Sequence, residues 1–189
     1  NTGSHGIMKK QETGLGKYIY MEWLFPVKDY YCSIRKNEVF FEIIFPLLCA
    51  LGCTYSYFRL GKIHNALDGL SGLLPTAISI LIGFTVMLIT LLLTSNGENI
   101  NKLKAKELSK KLYQKKLNLY QGLHIQFSHS LFSEIVLLLL VFCYLFWDGI
   151  GMPAWAAVAF LVIEIYLTLN ILLSILRGIT SLYFSFYYG

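Results

Sequence analysis

The segment from Leu73 to Thr94, LLPTAISILIGFTVMLITLLLT, carries no charged side chain from end to end. Lipid offers no partner for an exposed backbone amide, so a spanning segment has to be a helix or part of a closed barrel. As a helix, about 20 apolar residues cover the roughly 30 Å hydrocarbon core. Three further stretches qualify: Val39–Phe58, Leu131–Trp147 and Pro153–Leu176. A barrel would show many segments of about ten residues with alternating polarity, and that pattern is not visible. Composition agrees, because 56% of the residues are hydrophobic and 14% charged, against about 45–50% and about 25% in soluble domains. The expected fold is an all-α integral membrane protein with four transmembrane helices.

Lysine and arginine set the orientation. Lys9, Lys10, Lys17, Lys28, Arg35 and Lys36 precede the first span. Lys102, Lys104, Lys106, Lys110, Lys111, Lys115 and Lys116 lie between spans two and three. The opposite side has Arg59 and Lys62 in one loop and none in the turn DGIGM. Both termini and the middle segment are therefore expected on the cytoplasmic side. Trp147 and Trp155 flank the outer turn as an aromatic belt would, and Pro153 suits a helix start.

The chain divides accordingly. Residues 1–7 read as a tag remnant, and no signal peptide is expected after them. Residues 8–38 form an aromatic lead-in at the inner boundary, containing Pro26. Residues 39–94 and 131–176 are transmembrane hairpins. Residues 95–130 are a basic cytoplasmic segment, and residues 177–189 an aromatic cytoplasmic tail. In the basic segment Leu108, Leu112, Leu119 and Leu123 form an apolar stripe widened by Tyr113, Leu117 and Tyr120. The expectation there is a basic amphipathic helix or helical hairpin. It would contact anionic lipid or dock a cytosolic protein through Lys104, Lys106, Lys110, Lys111, Lys115 and Lys116. Direct nucleic-acid binding is not expected, because the lysines come without arginines or a recognised binding fold.

Within the spans, Glu164 is the first candidate for function. It lies about 17 Å along a helix from Pro153, close to the bilayer midplane. Ionised there it would cost a few kcal/mol, so it should face protein or water and favour its neutral form. Thr168 and Ala157 share its helix face. The leading reading is a hydrogen-bonded link between helices; the alternative is a pore or a proton-coupled switch. Glu42 and Glu134 each sit three residues inside the inner end of an expected span. For both, snorkelling and ion pairing with Arg35, Lys36 or Arg177 are expected. In the second span Thr76, Ser79, Gly83, Met87, Thr90 and Thr94 recur at steps of three and four. Such a stripe suits close packing, within or between copies, or a pore lining. Pro46 should kink the first span.

Chemistry beyond this is sparse. There is no GxSxG, HExxH, P-loop or dinucleotide turn, and Arg59 to His64 matches a ribonuclease pattern only superficially. The four cysteines show no ligand spacing. No catalytic residue, cofactor or metal site is expected.

In length, four spans, aromatic lead-in and the lysine-rich segment LKAKELSKKLYQKKLNLYQ, residues 8–189 resemble the small membrane subunit of the Kiwa anti-phage defence system of bacteria. The resemblance implies a membrane sensor that assembles as a homo-oligomer and works with a cytosolic DNA-binding subunit. The competing class is a pore-forming effector that depolarises the membrane; a small proton-coupled transporter comes third.

The orientation has a direct test. Single cysteines placed in the DGIGM turn should react with an impermeant thiol reagent on intact cells, and cysteines beside Lys110 should not. Labelling beside Lys110 would reverse the topology.

Overall fold

A computed structural model describes residues 25–34, 36–94, 98–112 and 115–187. The lead-in before Phe25 lies outside them. Helix α1 (Phe25–Ser33) is followed by a short helical turn (Lys36–Val39), a π-helical turn (Phe40–Ile44) and α2 (Phe45–Arg59). Next come α3 (Ile63–Thr94), α4 (Glu98–Ala105), strands β1 (Glu107–Leu112) and β2 (Lys115–Asn118), α5 (Leu119–Asp148) and α6 (Ala154–Tyr187). Four helical stretches are long and apolar enough to cross a bilayer: Phe40–Arg59, Ile63–Thr94, Leu119–Asp148 and Ala154–Phe184.

Three of these are longer than the hydropathy of their middles suggested. α3 begins at Ile63, well before Leu73, because α2 ends in a tight reversal that leaves no room for a loop. Gly61 takes a positive φ of 64°, its amide reaches Phe58 O, and Lys62 N reaches Tyr57 O. This pair of bonds closes the last turn of α2 as a Schellman motif, and the positive φ explains the glycine. α5 starts at Leu119, well ahead of Leu131, because Asn118 and Gln121 form a capping box. Asn118 Oδ1 accepts from Gln121 N at 2.8 Å, and Gln121 Oε1 accepts from Asn118 N at 3.2 Å. Such a box satisfies two orphan donors reciprocally. α6 runs through the expected tail without a break, as far as Tyr187.

The basic segment differs from the helical expectation. It is the short helix α4, then an antiparallel pair in which Lys111 opposes Lys116 and Leu112 opposes Lys115, then the first turns of α5. The leucines of the expected stripe are therefore shared among elements. Leu119 and Leu123 are buried on α5, while Leu117 is buried on β2. Leu108 on β1 lies over Gly122, where any β-carbon would stand 2.7 Å from its Cδ1.

Packing falls into three layers along the bundle. At the end carrying the Leu60–Lys62 and Asp148–Met152 turns, Ile63, Leu67, Tyr144, Ala157 and Leu161 pack together. A middle layer joins Leu74 and Ile78 to Leu137, Val141, Ile171 and Ile175. At the hairpin end Leu92 meets Ile100, Leu103, Leu119, Leu123 and Phe127. α2 lies chiefly against α6 and touches its sequence neighbour α3 little. The outer faces are apolar: Leu73, Ile80, Phe146 and Trp155 are each more than two-thirds exposed. Exposed apolar area of this kind is foreign to a water-soluble surface and suits lipid tails.

α5 and α6 approach closely at Gly178, where an added β-carbon would stand 2.5 Å from the Phe127 ring. That ring is fully buried and cannot swing aside. Gly178→Val should therefore destabilise the bundle by about 1–3 kcal/mol through overpacking. The measurement is the thermal unfolding midpoint in detergent; an unchanged midpoint would mean that the helices separate freely there.

Candidate functional site

The polar side chains inside the bundle gather at four levels, and each level is organised around an acid. At the hairpin end Glu42, in the π-helical turn, is the centre. Its Oε2 accepts from the Tyr30 hydroxyl at 2.6 Å. Arg177 of α6 pairs with both Glu42 and Glu38, the latter at 2.6 Å. The Tyr30 ring stacks on His129 of α5, centroids 3.8 Å apart and planes 12° apart. Gln126 Nε2 donates to Ser174 O at 2.6 Å. These contacts tie α1, the first span, α5 and α6 to one point.

The backbone of this level follows from Pro46. A proline has no amide hydrogen, so the carbonyl four residues earlier, Glu42 O, loses its helical donor. The chain answers in two ways. Phe45 N reaches back five residues to Phe40 O, making the π-turn. Asn170 Nδ2 of α6 then donates to Glu42 O at 2.7 Å. An orphan carbonyl in an apolar bundle costs several kcal/mol, so Asn170 supplies the donor that Pro46 removes. The break in regularity expected at Pro46 takes the form of this π-turn.

Further along, Glu134 is fully buried, with its Oε1 accepting from Thr85 Oγ1 of α3 at 2.8 Å. The ion pairing expected at a surface level holds for Glu42; Glu134 has none among the described residues. The early start of α5 makes Glu134 the sixteenth of 30 helical residues. Glu164 is also fully buried, its two oxygens 3.5 and 3.4 Å from Ser71 Oγ of α3. Thr168 Oγ1 donates to Glu164 O at 2.7 Å, so it serves its own helix rather than the carboxyl. Ala157 is buried in the turn-end layer. At that end the Tyr144 hydroxyl donates to Asp68 Oδ1.

The hydroxyl stripe of α3 is elsewhere. Thr76, Ser79, Gly83, Met87, Thr90 and Thr94 are all exposed in the single chain. Ser79 donates to Pro75 O, Thr90 to Val86 O and Thr94 to Thr90 O. Their hydroxyls are thus satisfied within α3. Ser71, Leu74, Ile78 and Thr85 make the packed face, almost opposite at about 100° per residue. Packing of the stripe within one copy, one of the expected outcomes, does not occur.

Among the lysines, Lys104 and Lys106 are exposed, and Lys104 Nζ stands 5.2 Å from the Tyr120 ring centroid. Lys116 pairs with Glu107 across the strands at 2.8 Å, and this hydrogen bond raises its pKa. The side chains of Lys110, Lys111 and Lys115 lie outside the described residues. Tyr30, Asp68, Gln126, Tyr144 and Asn170 were not expected as interior polar partners. The usable signals were Pro46, whose lost donor demands a substitute, and the Asn-x-x-Gln box ahead of α5.

Fold and interior together are those of an α-helical bundle compatible with a multi-pass membrane protein, with four helices long and apolar enough to cross a bilayer and polar side chains ordered in levels. No family model, curated protein or solved structure matches the chain.

Tyr30 gives a pH test. Burial pushes its phenol up to about 12, with the Arg177 charge opposing. The unfolded phenol ionises near 10, so the neutral Tyr30 stabilises fully below about pH 10 and progressively less between about 10 and 12. The loss should reach roughly 2–3 kcal/mol. Tyr30→Phe should flatten this part of a stability-against-pH curve, measured by thermal unfolding. An identical alkaline decline in the variant would show that α1 is not held through the phenol.

Proposed function

We propose that this chain is a membrane-embedded sensor and scaffold of the bacterial inner membrane. The bundle registers envelope disturbance, and the basic segment passes the state to a cytosolic partner. In the setting that the Kiwa resemblance implies, the chain assembles as a homo-oligomer, the partner is a DNA-binding subunit and the output is anti-phage defence.

The observation that supports this reading over a pore is the opposition of two faces on α3. Glu164 and its partner Ser71 are turned into the packed bundle, whereas the Thr76, Ser79, Gly83, Thr90 face looks outward. A conduit lined by both would need one surface to carry them. The outward stripe, with open space around Gly83, suits the close approach of a second copy. At the other end, the exposed Lys104, Lys106 and Lys116 sit beside a hairpin docked on α5. That gives the segment a fixed shape to present.

Replacing Lys110, Lys111, Lys115 and Lys116 with glutamine should leave membrane insertion unchanged. Recovery of a co-purifying cytosolic protein from native membranes should fall roughly tenfold, equivalent to about 1.4 kcal/mol. Unchanged recovery would reduce the hairpin to a lipid contact.

A further inference from the structure

Two buried carboxyls, Glu134 and Glu164, have no cationic partner among the described residues, and Leu74, Ile78, Leu137 and Val141 of the middle apolar layer lie between them. Along α3, Ser71 comes before Leu74 and Ile78, and Thr85 after them. Along α5, Leu137 and Val141 follow Glu134 and precede Tyr144 at the turn end. Ser71 and Thr85 are about 21 Å apart along the helix axis, and each is about 12–14 Å from its nearer end of α3. The carboxyls diverge further because helical side chains lean toward their own N-terminus. α5 and α6 are antiparallel, so Glu134 leans to the hairpin end and Glu164 to the turn end.

Each carboxyl is met by a hydroxyl. Thr85 donates to Glu134 Oε1, and Glu134 Oε2 is buried without a hydrogen-bond partner among the described residues. One helical turn away on the same face, Ser130 Oγ is likewise buried and without such a partner. Both atoms are closed to a water-sized neighbour. A metal ion or a water needs volume and several ligands; a proton needs neither. A carboxylic acid offers one donor alongside its remaining acceptor capacity. Glu164 receives only the long contacts from Ser71, well beyond the usual O–H···O distance. Leaving either group ionised would place an uncompensated charge among leucines and isoleucines, which a bundle avoids.

We propose that Glu134 and Glu164 are two proton-binding sites, one in each half of the bundle and separated by Leu74, Ile78, Leu137 and Val141 of the middle layer. Each site exchanges its proton with its own end. Loss of either proton puts a charge at a helix contact held by one hydroxyl and drives α3 away from α5 or α6. Other ionisable groups of these elements lie at the levels above and below the two carboxyls. α3 brings Asp68 and α5 brings Tyr144, which bond each other at the turn end. α5 also brings His129, α6 brings Arg177 and Tyr166, the first span brings Glu42, and α1 brings Tyr30. Of these, His129, Arg177, Glu42 and Tyr30 belong to the level at the hairpin end. This inference stands apart from the signalling role and does not require it.

The test is infrared spectroscopy of the full chain in lipid nanodiscs at neutral pH. The wild type should show the C=O stretch of two protonated carboxyls, and the band should move when glutamate is labelled with carbon-13. Glu134→Gln and Glu164→Gln should each remove about half of it and the double variant all of it. Glu42→Gln should leave it unchanged, because Glu42 is paired with Arg177. Absence of the band in wild type overturns the proposal, as does its persistence in the double variant. Should the glutamine variants fail to assemble, the labelled wild type decides. Two protonated glutamic acids support the sites, and none refutes them.

Discussion

Acids inside a bundle that offers them one guanidinium are the constraint around which the rest is arranged. Arg177 is the one arginine or lysine well inside the four spans, since Arg59 stands at the end of the first. It is held by Glu42 and Glu38. Glu134 and Glu164 then have to be satisfied by neutral groups, which fixes where Thr85 and Ser71 must face. Those two hydroxyls set the rotation of α3 about its own axis. That rotation turns Leu74 and Ile78 into the middle layer and sends Thr76, Ser79, Gly83 and Thr90 outward. The position of one stripe thus follows from the needs of two carboxyls on other helices.

The prolines impose a second, local demand. Pro46 strips a donor from Glu42 O, and Asn170 supplies one from a distant helix. Pro75, inside α3, does the same to Ser71 O, on the residue whose side chain meets Glu164. Each proline therefore lies four positions after a residue that engages α6 through a polar contact. The weakened turns coincide with the places where that helix docks. At Pro46 it is α6 that supplies the missing donor.

Span number and approximate position were legible because a charge-free run as long as Leu73 to Thr94 has few folds open to it. Helix ends were less so. Hydropathy marks the apolar middle of a helix, while its ends are set by caps such as Asn118 with Gln121 and reversals such as Gly61. The basic segment misled for a specific reason. Leu108 and Leu112 are four apart, a spacing that keeps two residues on one face of a helix and also on one face of a strand. The helix proper starts only after Asn118, whose capping box with Gln121 marks its first turn. Glu164 was legible as a buried acid from its place in the apolar run. Glu134 was not, because its depth depended on a helix that starts at Leu119 rather than at Leu131. Tyr30 and Asn170 carry no sequence signal of their own, since their role exists only once distant segments meet.

The preference of α2 for α6 over α3 has a consequence for biogenesis. The span ending at Arg59 emerges from the ribosome before α6, on which it has its main resting place. Until the chain beyond Ala154 has been synthesised and inserted, the face of α2 around Ala50 and Thr54 has only lipid or a chaperone to lean on. The early hairpin is then an open clasp, closed only when α6 docks on α2.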